Sequence, residues 1–501
     1  MKDRLTRGAA WLTATRLLVN LVGFASTILM ARLLMPADFG LVAIATTIAA
    51  VVGSVTELPL SSALVQHANP EDRHFDNAFT LNVARATLVA GLMAALALPV
   101  AHFYADPRLV EIMFVLAATT WLGGFGNPKL VVFTRDLVFW QEFAMGVSTK
   151  LLGFVVAAVI AFVYKSYWAL IGGGMAAQLL ALVLSYRLAP YRPRLRLAGS
   201  RSLLSFSVWL TLGRTVNTVN WRSDQLFIGY FLGHGPLGFY TFGDNLAVLP
   251  TREATGPIAQ TLFPAFSRIT GDADRLREAY RRAQTLLCAV ALPIGCGFAM
   301  IAEPMVLATV GPKWLPAVIV IQILASVFAF QTIASSLQPL AMAMGETRAL
   351  FHRDLVNLLF RFPLIIIGLA TGGLVGVLIA RVASGLFGTL LNLMLVRRLI
   401  GVPVIAQLAA NVRSFAAVGV MALALGSLEA SIDTAKGSAP SILVLAGLIM
   451  AGASVYIAAL AAMWRAAGRP PGPEATVLDA VRNGFGALAH RAVPVRIVQP
   501  Q

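Results

Sequence analysis

The chain has 501 residues, 58% of them hydrophobic and only 12% charged, with a mean hydropathy of +0.77 and a formal net charge of +16. Soluble domains average about 45–50% apolar and about 25% charged residues, so a soluble enzyme or binding domain is excluded as the bulk of the molecule. Apolar runs of about 20 residues recur from end to end, each long enough to cross a hydrocarbon core of about 30 Å.

Two architectures can close their backbone hydrogen bonds inside lipid, the helix and the closed β-barrel. A barrel needs short strands of alternating polarity. Runs such as Leu151–Phe162 and Ile442–Ala453 are continuously apolar, so the expected fold is an all-α polytopic membrane protein. In chain order the runs predict about fourteen spans: 9–33, 39–66, 77–103, 109–134, 141–163, 166–187, 203–232, 237–267, 279–302, 314–344, 354–371, 374–397, 406–427 and 439–464. The first has no Ala-x-Ala-like cleavage site after it and reads as an uncleaved anchor.

The basic residues orient these spans. With the N-terminus in the cytoplasm, the outer loops hold five of them: Arg32, Arg108, Lys165, Lys313 and Lys436. The inner segments hold twenty-five, among them Arg187, Arg192, Arg194, Arg196 and Arg201 in one loop and Arg268, Arg275, Arg277, Arg281 and Arg282 in another. That asymmetry predicts both termini inside and accounts for most of the net charge without a nucleic-acid partner. The two basic loops suit anionic headgroups, so membrane lipids are expected partners. Residues 466–501, with Gly468-Arg469-Pro470-Pro471-Gly472-Pro473, read as a cytoplasmic tail.

The chain also carries an internal echo. Arg32-Leu33-Leu34-Met35-Pro36-Ala37-Asp38-Phe39-Gly40-Leu41 resembles Tyr230-Phe231-Leu232-Gly233-His234-Gly235-Pro236-Leu237-Gly238-Phe239. Aligning Gly40 with Gly238 also aligns Arg16 with Arg214 and Pro59 with Pro257. Two parallel repeats follow, related by an axis along the membrane normal. The expected domains are residues 1–200 and 201–400, two pseudo-symmetric six-helix lobes, with two added helices over 401–465.

The stretch from Ala31 to Ala43, followed by Leu60-Ser61-Ser62-Ala63-Leu64-Val65-Gln66, resembles the start of bacterial polysaccharide-export flippases. So does Asn220-Trp221-Arg222-Ser223-Asp224-Gln225-Leu226-Phe227-Ile228-Gly229-Tyr230-Phe231-Leu232-Gly233, with Phe263-Pro264-Ala265-Phe266-Ser267-Arg268 and Trp314-Leu315-Pro316-Ala317 further on. The likeness runs to about residue 400. That family shares a superfamily with multidrug exporters and lipid II flippases. The resemblance implies a V-shaped, two-lobe fold working by alternating access in the bacterial inner membrane. It implies an undecaprenyl diphosphate-linked oligosaccharide as cargo, moved from the cytoplasmic to the periplasmic leaflet. The polysaccharide polymerase and export machinery are then expected partners. One departure stands out: the family's second motif ends in an arginine near residue 230, where this chain has Tyr230, so no role is carried to that position.

Nine basic residues fall inside the predicted spans. A central arginine costs at least about 2.5–3.5 kcal/mol, so each needs a partner, a wet cavity or a route to the interface. Lys150, Arg413 and Arg381 lie near span ends and can reach the interface. Arg16, Arg85, Arg214 and Arg252 are deeper. A diphosphate needs donors that stay charged, and arginine offers planar forks that do. These four are the candidate diphosphate ligands, with ion pairing as the competing role. Asn217, Asn220 and Asp224 share one helical stripe and, with Asp244 and Asn245, are candidates for binding sugar hydroxyls; hydrogen bonding between helices is the alternative. Arg222 does not share a face with Asp224 and is expected to pair with Glu57 or Glu253.

Enzyme signals are weak. Asp272-Ala273-Asp274 resembles a glycosyltransferase Asp-x-Asp but sits in a short loop. There is no P-loop, no His-Glu-x-x-His and no Gly-x-Ser-x-Gly. Cys288 and Cys296 have no metal-spaced neighbours and read as buried thiols. No catalytic residue, metal or cofactor is expected. The competing functions are a multidrug or small-molecule antiporter of the same fold, which would favour an apolar pocket with one acidic site, and a membrane glycosyltransferase or polymerase, which would need catalytic acids on a larger loop.

Overall fold

Every secondary-structure element among the described residues of this computed structural model, 2–56, 64, 71–136, 138–195, 208–431 and 442–469, is helical. Long apolar runs leave no other way to satisfy the backbone inside lipid. In order the helices are α1 (Lys2–Leu33), α2 (Pro36–Val55), α3 (Asp72–Phe103), α4 (Arg108–Gly124), α5 (Val131–Arg135), α6 (Trp140–Tyr164), α7 (Trp168–Leu188), α8 (Val208–Leu232), α9 (His234–Ser267), α10 (Ala273–Met300), α11 (Ala302–Thr309), α12 (Val318–Gln331), α13 (Leu337–Ala343), α14 (Thr347–Ile400), α15 (Val404–Ala409), α16 (Val412–Ser431) and α17 (Ile442–Ala466). Short 3-10 turns occupy Pro128–Leu130, Pro312–Ala317 and Thr332–Ala334.

Among the described residues, ten helical stretches are long and apolar enough to cross a membrane. The chain is therefore an all-α, multi-pass membrane protein. The remaining predicted spans lie on helices outside that set or on shared ones. Helix α4 has 17 residues. Helices α8 and α9 carry charges in their middles. Helix α14 holds two predicted spans, divided at Gly373, whose φ of 55° and ψ of −130° break the helix. A positive φ with that ψ is open to glycine and little else. The chain folds back there, and the backbones of Gly368 and Gly376 meet so closely that a Cβ on either would overlap the other's carbonyl.

Several predicted edges move. In the span drawn over 39–66, α2 ends at Val55, and Leu64 is the one later described residue that is helical. The one drawn over 109–134 breaks after Gly124, because Pro128 cannot continue a helix and disfavours helical geometry at Asn127. Asn127 turns the break into a tie: its Oδ1 accepts from the Lys129 backbone N–H at 2.9 Å, and its Nδ2 donates to the Ser185 and Ala189 carbonyls at 3.0 and 2.6 Å. The span over 314–344 is interrupted by the turn at Thr332–Ala334.

The chain divides into two compact units. The first comprises residues 1–243, 309–320 and 350–384. Here the paired glycines of the internal echo face each other. A Cβ on Gly40 would strike the His234 carbonyl, and one on Gly238 would strike the Pro36 carbonyl. The contact is reciprocal in the register of the repeat. Nearby, the carbonyls left open at the end of α1 are answered by a remote segment: Trp314 Nε1 donates to Ala31 O at 2.7 Å, and Lys313 Nζ to Arg32 O and Leu34 O at 2.8 Å each. In the loop before α4, burial raises the pKa of the Asp106 carboxyl, but the side-chain and backbone hydrogen bonds from Arg108, with its charge and that of His234, outweigh this and hold it below the usual carboxylate range.

The second unit comprises residues 244–308, 321–349 and 385–501. Its core satisfies its buried polar groups through α10. Gln284 Nε2 donates to Ile333 O at 2.8 Å, and Tyr280 Oη donates to Gln407 Oε1 at 3.2 Å. Gln407 Nε2 in turn donates to the Leu393 and Val402 carbonyls.

Candidate functional site

Helix α8 carries two unlike polar regions, one open and one buried, and the site grows from that difference. Asn217, Thr218, Trp221 and Arg222 stand at i, i+1, i+4 and i+5, which places them on one side of the helix. They border a cavity of about 420 Å³ within the first unit, closed by Ala50, Gly53 and Ser54 of α2 and by Arg85 of α3. Gly53 has open space where a side chain would stand, and its carbonyl accepts a long hydrogen bond of 3.5 Å from Arg85 Nη2. The Thr215 hydroxyl donates to the Ser54 carbonyl at 3.2 Å and ties α8 to α2 beside the cavity. Arg222 is turned toward it by a 3.4 Å hydrogen bond to Gln225 Oε1, which also accepts from the Thr47 hydroxyl at 2.6 Å.

Two turns along the stripe from Asn217 the helix is closed around Asp224, which is 1% exposed. Its Oδ2 accepts from Arg361 Nη2 at 2.8 Å, pairs with Arg381 Nη1 at 3.2 Å and accepts the Tyr240 hydroxyl. Both arginines are buried. They come from the two arms of the α14 hairpin, one on each side of Gly373, so the hairpin geometry brings them to one carboxylate. Trp221 packs beside both guanidiniums: the Arg361 and Arg381 Cζ atoms lie 5.9 and 5.5 Å from the indole centroid, within cation–π range. Asn220 extends the network, donating from Nδ2 to the Asp354 carbonyl at 3.2 Å and accepting from Asn357 Nδ2 at 3.5 Å. Trp221 thus stands between the buried Asp224–Arg361–Arg381 cluster and a cavity with two more arginines. The arrangement can hold an anion and offers no nucleophile or paired acid to react with it.

The sequence-predicted residues separate accordingly. Arg85 and Asn217 meet in the cavity. Arg222, expected in an ion pair, borders it with them. Asn220 and Asp224 share Asn217's stripe but are covered one to two turns further along α8, where the α14 hairpin and the start of α9 pack. Arg16 and Arg214 are exposed and do not border this cavity. In the second unit, exposed Arg252 pairs with its neighbour Glu253 at 3.3 Å, Asp244 is half-buried and Asn245 is exposed. Glu57 lies outside the described residues. Arg381, read from sequence as reaching the interface, is instead 3% exposed. The roles of Arg361, Arg381 and Trp221 were not found from sequence. The available signal was two arginines deep in apolar runs, which demands an acid on another helix.

The second unit holds a cavity of about 400 Å³ with a different character. Among the described residues, its lining includes Pro293, Phe298, Met421, Leu448 and Tyr456 and no charged residue. Among the described residues no group of three or more His, Cys, Asp or Glu side chains is placed to hold a metal ion.

Comparison with known proteins places this geometry in context. The chain is 23% identical over 396 residues to the lipopolysaccharide biosynthesis protein WzxC of Escherichia coli (strain K12), covering 78% of this chain and 80% of that one. It is 24% identical to the succinoglycan biosynthesis transport protein ExoT of Rhizobium meliloti (strain 1021), covering 75% and 76%. Its fold matches the lipid II flippase MurJ in an inward closed conformation with a TM-score of 0.70 at 14% identity, covering 91% of this chain and 99% of that chain. An inward-facing multidrug resistance transporter of the MATE family in the MOP superfamily matches with a TM-score of 0.56 at 16% identity, over 76% and 95%. The chain is a membrane transport protein, not an enzyme. The family model described as polysaccharide biosynthesis protein matches residues 29–319, and the chain belongs to that family.

Proposed function

We propose that the protein flips an undecaprenyl diphosphate-linked oligosaccharide, the repeat unit of a surface polysaccharide, from the cytoplasmic to the periplasmic leaflet of the bacterial inner membrane. The observation that carries this is the cavity in which Arg85, Arg222 and Asn217 converge. Guanidinium forks suit a diphosphate, and within a membrane their field is poorly screened. The relatives named for polysaccharide assembly and the fold shared with a lipid-linked substrate flippase point the same way. Among the described residues, the apolar cavity of the second unit is lined by no acidic group of the kind a cation-coupled drug exporter would need there.

In this mechanism the two arginines hold the diphosphate, the sugars occupy polar space lined by amides and hydroxyls, and the lipid tail stays in the bilayer. Arg16, Arg214 and Arg252 are proposed as further diphosphate contacts along the path, and Asp244 and Asn245 as sugar contacts. Asn220 and Asp224 serve by holding α8 in place. The full proposal has fourteen crossings, both termini in the cytoplasm and two lobes, 1–200 and 201–400, that rock to give alternating access, with the polymerase and export machinery taking up the product.

The test is complementation of a deletion strain with Arg85→Ala, Arg222→Ala and the double variant, with membrane protein levels matched by immunoblot. Losing one charge-assisted contact, about 1.5–3 kcal/mol, should cut surface polysaccharide at least about tenfold, and the double variant should abolish it. Export at the unmutated level in the double variant would sink the assignment of this cavity.

A further inference from the structure

Resting on the diphosphate reading of the same cavity, we infer that Trp221 is the platform on which the sugar attached to the diphosphate stacks, and so a specificity-determining residue of the transporter. Among the described residues, Trp221 is the one aromatic in the lining of the arginine cavity. It lies mid-helix, yet 40% of it is exposed. In a glycosyl diphosphate the first sugar is joined to phosphate through a single oxygen. A site that grips the phosphate through Arg222 must therefore receive that sugar beside it, and Trp221 is the adjacent residue on α8.

The chemistry of the pair fits. The face of an indole carries negative potential, and the axial C–H groups of a pyranose present slightly positive hydrogens to it. Asn217, one turn back on the same side, and Thr218 offer donors and acceptors for the hydroxyls at the ring edge. A volume of about 420 Å³ lies within the range of small-molecule sites, about 300–1,000 Å³.

The platform is also rigid before cargo arrives. Arg361 and Arg381 lie against the indole, and Asp224 holds both. A side chain already immobilised loses little entropy on binding. The buried cluster therefore acts as a positioning group for Trp221 and touches no cargo itself.

The experiment measures binding to the full chain in lipid nanodiscs with two probes of equal charge: the methyl ester of farnesyl diphosphate, and the same diphosphate carrying one glucose in place of the methyl. The unmutated protein should bind the glucosylated probe about fivefold more tightly. Trp221→Leu should bring that ratio close to one while leaving the methyl ester's affinity unchanged, and Trp221→Phe should keep most of the preference. An unchanged ratio in Trp221→Leu, or an equal loss for both probes, would overturn the platform. Arg222→Ala should weaken both probes alike, and failure of the unmutated protein to bind either one removes the diphosphate reading together with this inference. Should Trp221→Leu not fold, 5-fluorotryptophan labelling of the unmutated chain decides the matter. The Trp221 fluorine resonance, assigned through Trp221→Phe, must shift with the glucosylated probe and not with the methyl ester; equal shifts count against the platform.

Discussion

Asp224 shows how far a single residue can be read. Its place on a polar stripe with Asn217 and Asn220 follows from spacing alone. Its partners stand 137 positions away in the case of Arg361, and nothing in α8 names them. Sequence gives the depth of a charge along its own helix but not the helix that faces it. Arg381 illustrates the cost of that gap: a residue near a span end can reach water, unless a hairpin turns it inward toward an acid. Replacing Asp224 with Asn leaves two buried guanidiniums without their counter-charge. The expected loss is about 3–5 kcal/mol, visible as a lower unfolding midpoint in detergent and less folded protein in membranes. The triple replacement Asp224→Leu, Arg361→Met and Arg381→Met removes all the buried charges and should recover much of that stability. A triple variant less stable than Asp224→Asn would show that the cluster contributes more than charge balance.

At the scale of elements, helix positions are plain in the sequence because a bilayer leaves the backbone few choices. The apolar pattern carries the breaks unevenly. The divide at Gly373 falls between the spans drawn over 354–371 and 374–397, whereas Asn127-Pro128 and the turn at Thr332–Ala334 each interrupt a run that reads as continuous. Glycines mark the close approaches between helices. Gly368 and Gly376 bring two arms of α14 into backbone contact, and Gly40 and Gly238 do the same for the first turns of α2 and α9. Since a Cβ at Gly40 meets a backbone carbonyl rather than a flexible side chain, Gly40→Ala should destabilise the protein by about 1–3 kcal/mol. Gly235→Ala, with open space around it, is the control and should cost less than about 0.5 kcal/mol. Equal midpoints for the two variants would remove the close crossing as a source of stability.

For the whole molecule, charge asymmetry makes a prediction that helix packing cannot. With Cys288 and Cys296 replaced by Ala, a cysteine at Lys165 should react with a membrane-impermeant maleimide in intact cells, and one at Arg348 should react only after permeabilisation. The opposite pattern would invert the topology. Fold class and family likeness were thus legible in the primary structure, whereas the cavity was not, because it is made by α2, α3 and α8 together. The tie at the end of α1 has a consequence for biosynthesis. Its carbonyls at Ala31, Arg32 and Leu34 are met by Lys313 and Trp314, up to 283 residues later in the chain. A ribosome adding about 5–20 residues per second needs on the order of 14–57 s to reach them. During that interval the first helix to be inserted must have its end answered by water or lipid headgroups, so the first segment made is among the last to be locked.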